Sequence, residues 1–316
     1  MYLQPGYTAV AVRRCIFALV GLAVTLGGTP ATRLLAQSND PGCEHATLVS
    51  TGGEVPRNPQ TLAVRWTGFS NFELVYKGQV ILLDAYFDRG AIFPSLGFKA
   101  ADVKRANVML IGHGHFDHMS DAASVAIRTR AVVVGAPLTA EKLLSQHVDP
   151  KQVRTVTGKG GEELKFQSFT VEPILGRHGE PPPDVTAAFN QALQRTTPRP
   201  TPEQSAEQAA IRARGVSDPR VTAEGTIAYV ITFDDGFRVM YRDSGGTVTD
   251  YEKAAMARIG RVDIAIAAVS ASVLPALTSQ QALEYMRMSK GISGTELFRH
   301  VEETQQPLVA IPRIVI

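Results

Sequence analysis

The chain has 316 residues, 44% apolar and 20% charged, with 27 glycines and 19 prolines. That composition excludes a largely disordered, collagen-like or coiled-coil protein, and a soft prior of about 150 residues per domain allows one large domain or two small ones. The formal charge of +2 is uneven: residues 1–36 carry Arg13, Arg14 and Arg33 and no acidic residue, so 29 of the 32 basic residues face all 30 acidic ones in the remainder. A body so close to neutral has no electrostatic footprint for nucleic acid.

The N-terminal segment reads as an export signal. Arg13-Arg14 precede an apolar run from Cys15 to Leu26, and small or polar residues follow to Leu34-Leu35-Ala36. A positive start, an apolar stretch of about a dozen residues and a small residue before a polar segment is the signal-peptide pattern. The run is shorter than the roughly 20 residues a membrane span needs. Cleavage is expected after Ala36, with Ala31 as the alternative, leaving a periplasmic or secreted protein without a stable transmembrane span. The paired arginines also resemble a twin-arginine signal. Of the two cysteines, Cys15 falls in this segment and Cys43 remains alone, so no internal disulfide is available to the exported chain.

The body alternates strands and helices. Arg65 to Tyr76 suggests a strand pair leading into a Lys77-Gly78 turn, and Val80 to Leu83 continues as a strand ending at Asp84. Val108 to Ile111 is wholly apolar, as a strand covered on both faces should be. Ser120 to Arg128 reads as a helix with Ser120 or Asp121 as N-cap. Ala131 to Val134 is a buried strand, Thr139 to Ser145 a helix, and Phe166 to Ile174 a strand. Thr226 to Phe233 and Phe237 to Tyr241 form a hairpin across Asp234-Asp235-Gly236. Val262 to Ala268 is a further strand, and Thr278 to Met288 a helix opening on a capping box. Helices interleaved with hairpins predict mixed α/β layers rather than a doubly wound parallel sheet. Between Glu180 and Glu224 lie seven prolines in 45 residues around an Ala/Gln/Arg-rich stretch, Glu203 to Arg214, that could make a helix. This is read as a surface insertion, either a flexible loop or a lid.

The chemistry is concentrated in Ile111-Gly112-His113-Gly114-His115-Phe116-Asp117-His118. Only 7 histidines occur in the whole chain, and three of them fall here beside a carboxylate. The run follows a buried strand and precedes a helix, which places it on a strand-end loop. His113 and His115 can point the same way from an extended backbone, while the turn beyond Phe116 aims Asp117 and His118 at a second point nearby. Neutral imidazole and carboxylate suit Zn²⁺, Fe²⁺ or Mn²⁺; the bland alternative is a solvated histidine loop.

His113, His115, Asp117 and His118 match without a gap the His-x-His-x-Asp-His signature of the metallo-β-lactamase superfamily, which the chain resembles along most of its length beyond residue 36. Leu82-Leu83-Asp84, Gly176-Arg177-His178-Gly179 and Met240 to Gly245 look like three further motifs of that family. The resemblance implies an αββα sandwich, two mixed sheets flanked by helices with metals at one edge, formed by residues 37–316 as one domain carrying the insertion at 180–224. It gives one metal His113, His115 and His178, and the second Asp117 and His118, with Asp243 bridging both. The implied cofactor is Zn²⁺, one or two ions per chain, with Mn²⁺ or Fe²⁺ as alternatives, and Asp117 becomes the catalytic residue that orients the nucleophile or shuttles its proton. Asp84 is read as orienting a ligand imidazole, and His45 and His147 as surface residues. In layout the chain is most similar to the lactonase and phospholipase-D-like branch, which implies an ester, lactone or phosphodiester substrate, small or lipid-like.

One expected ligand has no match. The family supplies a further histidine from a late Pro-x-His strand, whereas here Leu308 to Pro312 runs into Arg313 and Ile314, and the only histidine after His178 is His300. Two function classes follow: a metal-dependent hydrolase with one tight metal or an open second position, or a metal- or ligand-binding member of the fold with impaired catalysis.

Overall fold

A computed structural model describes residues 9–11, 47–93, 95–179, 199–246, 248–260, 262–267 and 314–315. Two mixed sheets stack face to face. The first runs in the order β1 to β7: β1 (Ala9–Ala11), β2 (Ala63–Gly68), β3 (Asn71–Tyr76), β4 (Gln79–Leu83), β5 (Val108–Leu110), β6 (Val132–Gly135) and β7 (Val153–Thr155). Its pairings are antiparallel up to β4 and parallel from β4 onward. The second holds β8 (Leu164–Lys165), β9 (Phe169–Gly176), β10 (Thr226–Phe233), β11 (Arg238–Arg242), β12 (Ile264–Ala267) and β13 (Ile314–Val315), again neighbours in chain order. It too is antiparallel as far as β11 and parallel thereafter.

The helices are α1 (Phe116–Met119), α2 (Ala122–Thr129), α3 (Pro137–Ser145), α4 (Pro202–Ala213), α5 (Arg220–Glu224) and α6 (Asp250–Ile259). Strand alternation builds the layers. On β4, Val80 and Leu82 face α2 and α3 with Met109, Ile111 and Val133, while Ile81 and Leu83 face the second sheet. On β10, Ile227, Tyr229 and Ile231 point into the space between the sheets, and Ala228 and Val230 pack under Ala255 and Met256 of α6. Each such buried aliphatic side chain contributes about 1.5–3 kcal/mol. Both faces being covered is why these strands read as continuous apolar runs. The result is the expected αββα sandwich.

The strands read from the sequence and the helices around 122–145 and 202–213 fall where the sequence places them, within a residue or three at the ends; the short strands β1, β7, β8 and β13 are not among those readings, and β1, paired with β2, lies inside the segment 1–36 read as an export signal. Lys77 and Gly78 both take positive φ, +48° and +75°, as the tight turn between β3 and β4 requires. Other details differ. Phe116–Met119 is a helical turn and not loop, because Met119 N bonds back to His115 O and Ser120 N to Phe116 O. Asp121 occupies the N-cap position of α2 but makes no cap bond, since its carboxylate is taken by the Phe87 and Asp88 amides. The sequence reading omits α5 and α6, although Thr249 and Glu252 form a full capping box at the start of α6. Among the described residues no helix is long and apolar enough to cross a membrane. The apolar run Cys15 to Leu26, Cys43, His45, the helix expected at 278–288, His300 and the late strand 308–312 lie outside the described residues.

Candidate metal centre

Four loops meet at one edge of the sandwich because of how the strands pair. β4 and β5 are parallel neighbours, so Asp84 and Gly112 leave the first sheet side by side; Asp84 Oδ1 accepts a hydrogen bond from the Gly112 amide at 3.0 Å. In the second sheet Gly176 pairs with Thr226, which brings the loop after β9 to the same end as the loop after β11. An isolated antiparallel bridge, His178 to Gly245, ties those two loops together. The edges of the two sheets are then joined by Ile227 N donating to Gly112 O at 2.7 Å and by Tyr229 Oη donating to Ile111 O at 2.8 Å.

The side chains converge from these loops. His113 is fully buried, with Nδ1 2.6 Å from Asp243 Oδ2 and Nε2 2.8 Å from His115 Nδ1. The rings of His113, His115 and His178 lie 4.6–5.0 Å apart between centroids. His118 Nδ1 stands 2.6 Å from Asp84 Oδ2 and 3.1 Å from Asp243 Oδ2, and its Nε2 lies 3.2 Å from Ser244 Oγ. Two sets of ligand-type atoms each gather within 4.8 Å: His113, His115 and His178, and His113, His118 and Asp243. The division expected from the family differs here. His113 belongs to both sets and Asp117 to neither; with 30% of its side chain exposed, Asp117 sits 3.8 Å from His118 Nε2.

Electrostatics prepare the cluster for a cation. Burial above all holds His113, His115 and His178 below the ordinary imidazole value, so each is neutral with a free lone pair at neutral pH. For His118 burial is outweighed by the carboxylates of Asp84, Asp117 and Asp243, which raise it to about 10. Burial opposes the charge of Asp117, but His118 and His113 overcome it and keep that carboxyl below the usual range. Two buried atoms in the cluster, His178 Nδ1 and Asp243 Oδ1, have no hydrogen-bond partner. Unpaired buried polar atoms cost about 1–3 kcal/mol each, a cost that a bound cation would remove. A divalent metal fits this donor set: the neutral nitrogens of His113, His115 and His178, a buried carboxylate, and a His118 that would exchange its proton for the ion, spaced for ligand bonds of about 2.0–2.2 Å.

Residues beyond the sequence-predicted set complete the site. Tyr241 Oη donates to Asp84 Oδ2 at 2.5 Å, and Ser70 Oγ lies 3.2 Å from His118 Nδ1. Asp84 itself adopts φ +56°, a left-handed backbone rare for a side-chain-bearing residue, and both its oxygens are engaged. The alternation of β11 would have turned Tyr241 inward; nothing local marks Ser70. His147 lies outside the cluster, at the end of α3 with φ +67°.

The sequence model of the Beta-lactamase superfamily domain matches residues 79–272, more than half of the chain. Curated relatives are named as UPF0173 metal-dependent hydrolases: that of Koribacter versatilis is 38% identical over 79 residues, covering 25% of this chain and 33% of its own. That of Dinoroseobacter shibae is 32% identical over 117 residues, 37% of this chain and 49% of its own. The chain thus spans half or less of the length of the relatives it matches. Among solved structures, the metallo hydrolase Igni18 of Ignicoccus hospitalis is 12% identical with a TM-score of 0.44, covering 81% of this chain and 94% of its own. With the signature matched at His113 to His118 and the family match running through the strands that position it, the chain belongs to the metallo-β-lactamase superfamily.

Proposed function

We propose that the protein is an exported, metal-dependent hydrolase acting on an ester, lactone or phosphodiester. The observation that carries this reading is the pair of His/Asp sets with two buried atoms, His178 Nδ1 and Asp243 Oδ1, left without protein partners. His113, His115 and His178 would hold one ion, and His118 and Asp243 a second, with Zn²⁺ the first choice and Mn²⁺ or Fe²⁺ the alternatives. Such an ion, when bound, lowers the pKa of water toward neutrality and polarises the substrate oxygen.

The chain's own residues do the rest. Asp84 and Tyr241 fix the His118 ring from behind, and Asp243 spans His113 and His118. Asp117, ionised and partly exposed beside His118, would accept the proton of an attacking water and return it to the leaving group. Export rests on the residue pattern of the first 36 positions alone.

The test is metal analysis together with turnover of a generic phosphodiester and a lactone. Bound metal, and hydrolysis lost in Asp117→Ala without loss of folding, is the expected result. Stoichiometric metal with no turnover on either substrate class would instead favour a binding protein built on the same fold.

A further inference from the structure

α1 carries Asp117 and His118 yet is only four residues long. A helix of that length has no stability of its own, because its nucleus costs more than its few hydrogen bonds return. The aim of its side chains is therefore set by whatever grips its ends. Part of that grip comes from the insertion. β9 and β10 are antiparallel neighbours, with Gly176 opposite Thr226, so the chain that joins them must hang at the metal edge.

The described part of the insertion is fastened to the metal-binding loop at several points. Arg214, just past α4, donates through Nε to Ser120 O at 3.0 Å and through Nη2 to Asp121 Oδ1 at 3.0 Å. Asp121 is buried, and its other oxygen accepts from the amides of Phe87 at 2.7 Å and Asp88 at 2.8 Å. Its own amide bonds to Ala85 O, and Ala85 N bonds to His118 O. Two residues further on, Val216 N donates to Gly114 O at 2.7 Å, between the two histidines of the loop. Gly215 lies so close to Phe116 that an added Cβ would sit 2.4 Å from the Phe116 Cα. Arg212 covers the outer face of the Phe116 ring, 5.5 Å from its centroid.

We infer that Arg214 is a positioning residue of the metal centre. It reaches in from the insertion, holds Ser120 and Asp121 at the end of α1, and so fixes the direction in which Asp117 and His118 point. The guanidinium is suited to this because adjacent donors meet two acceptors at once; a lysine could satisfy only one in the same geometry. The insertion is then a brace of the metal-binding loop, and the set containing His118 depends on it more than the set of His113, His115 and His178. The metal part of this inference rests on the metal-centre reading, while the brace itself does not.

The experiment compares wild type, R214Q and R214K with R220Q, whose arginine pairs with Asp218 on the exposed surface of the same insertion. In the full-length metal-free protein, amide exchange is followed at residues 116–121. R214Q should accelerate exchange there relative to the sheet core, and R220Q should not. In titrations with Zn²⁺ against a chelator, R214Q should weaken the weaker-bound ion about 10–100-fold, the range for lost outer supports of metal ligands. The visible spectrum of the Co²⁺-loaded protein should change with it, and R214K should restore only part of either signal. Unchanged exchange at 116–121 in R214Q would overturn the brace, as would a uniform loss of protection across the molecule. Unchanged affinity and an unchanged Co²⁺ spectrum would overturn its link to the metal. If wild type binds no metal, the metal-centre reading fails while the exchange comparison still decides the brace. Should R214Q not fold, D121N removes the same ion pair at constant volume and is read in the same way.

Discussion

Adding one methyl group at Gly112 should empty the metal centre. Gly112 lies two residues past β5, and its backbone cannot retreat: the amide is held by Asp84 Oδ1 at 3.0 Å and the carbonyl by Ile227 N at 2.7 Å. A Cβ built there would lie 2.2 Å from Asp243 Cγ and from Oδ2. Asp243 must therefore move by about 1 Å or more to reach ordinary van der Waals contact at roughly 3.5 Å. That carboxylate is fully buried and holds both His113 and His118, so it has nowhere to go without breaking their contacts. Overpacking of this kind costs about 1–3 kcal/mol. The entropy gained in replacing glycine by alanine, about 0.4–1 kcal/mol, does not offset it. The metal-free Gly112→Ala protein should melt several degrees lower, at roughly 2–4 °C per kcal/mol for a domain of this size. Its metal content after dialysis, measured by plasma emission, should fall below that of wild type. A variant with wild-type metal content and an unlowered Tm would refute the reasoning.

Two more expectations concern the histidines. His115→Ala should lose the ion held with His113 and His178 while leaving the fold intact, because His115 is only partly buried; metal analysis that finds no change contradicts that assignment. In the metal-free protein the pH dependence should have two limbs. His113, His115 and His178 are held below their unfolded value near 6.5, so the stability they allow is present above that pH and lost as the pH falls beneath it. His118 is raised to about 10, so its contribution is complete below about 6.5 and is lost as the pH climbs through 10. Thermal unfolding of chelated protein should therefore peak near neutrality. Metal should abolish the alkaline limb, since the ion takes the place of the His118 proton. A metal-free profile with no alkaline decline would count against the Asp84–His118–Asp243 arrangement.

Much of the architecture could be read before any coordinates. Apolar runs such as 108–111 and 131–134 predict strands covered on both sides, and the alternation of 226–233 supplies an inner and an outer face, as found. The failures are local rules overridden by tertiary partners. Asp121 has the chemistry of an N-cap, but its carboxylate is claimed by Phe87, Asp88 and Arg214. α6 has a clear capping box at Thr249 and Glu252, yet its apolar face is short and easily taken for loop.

The sequence by itself determined which chemistry is available. Three histidines and an aspartate within six residues at a strand end, with His178 and Asp243 further on, specify neutral nitrogen and carboxylate donors and little else of the chain's 316 residues. Only the tertiary structure decided how they meet. His113 and Asp243 are 130 positions apart and touch at 2.6 Å, because two sheets end at one edge and a bridge between His178 and Gly245 closes it. The same pairing put Arg214 behind α1, gave Asp84 its left-handed backbone, and placed His113, where the family pattern implies Asp243, in both ligand sets. Periodicity records which face of a strand is buried; which strands become neighbours is settled by long-range pairing, and the site is built from those neighbours.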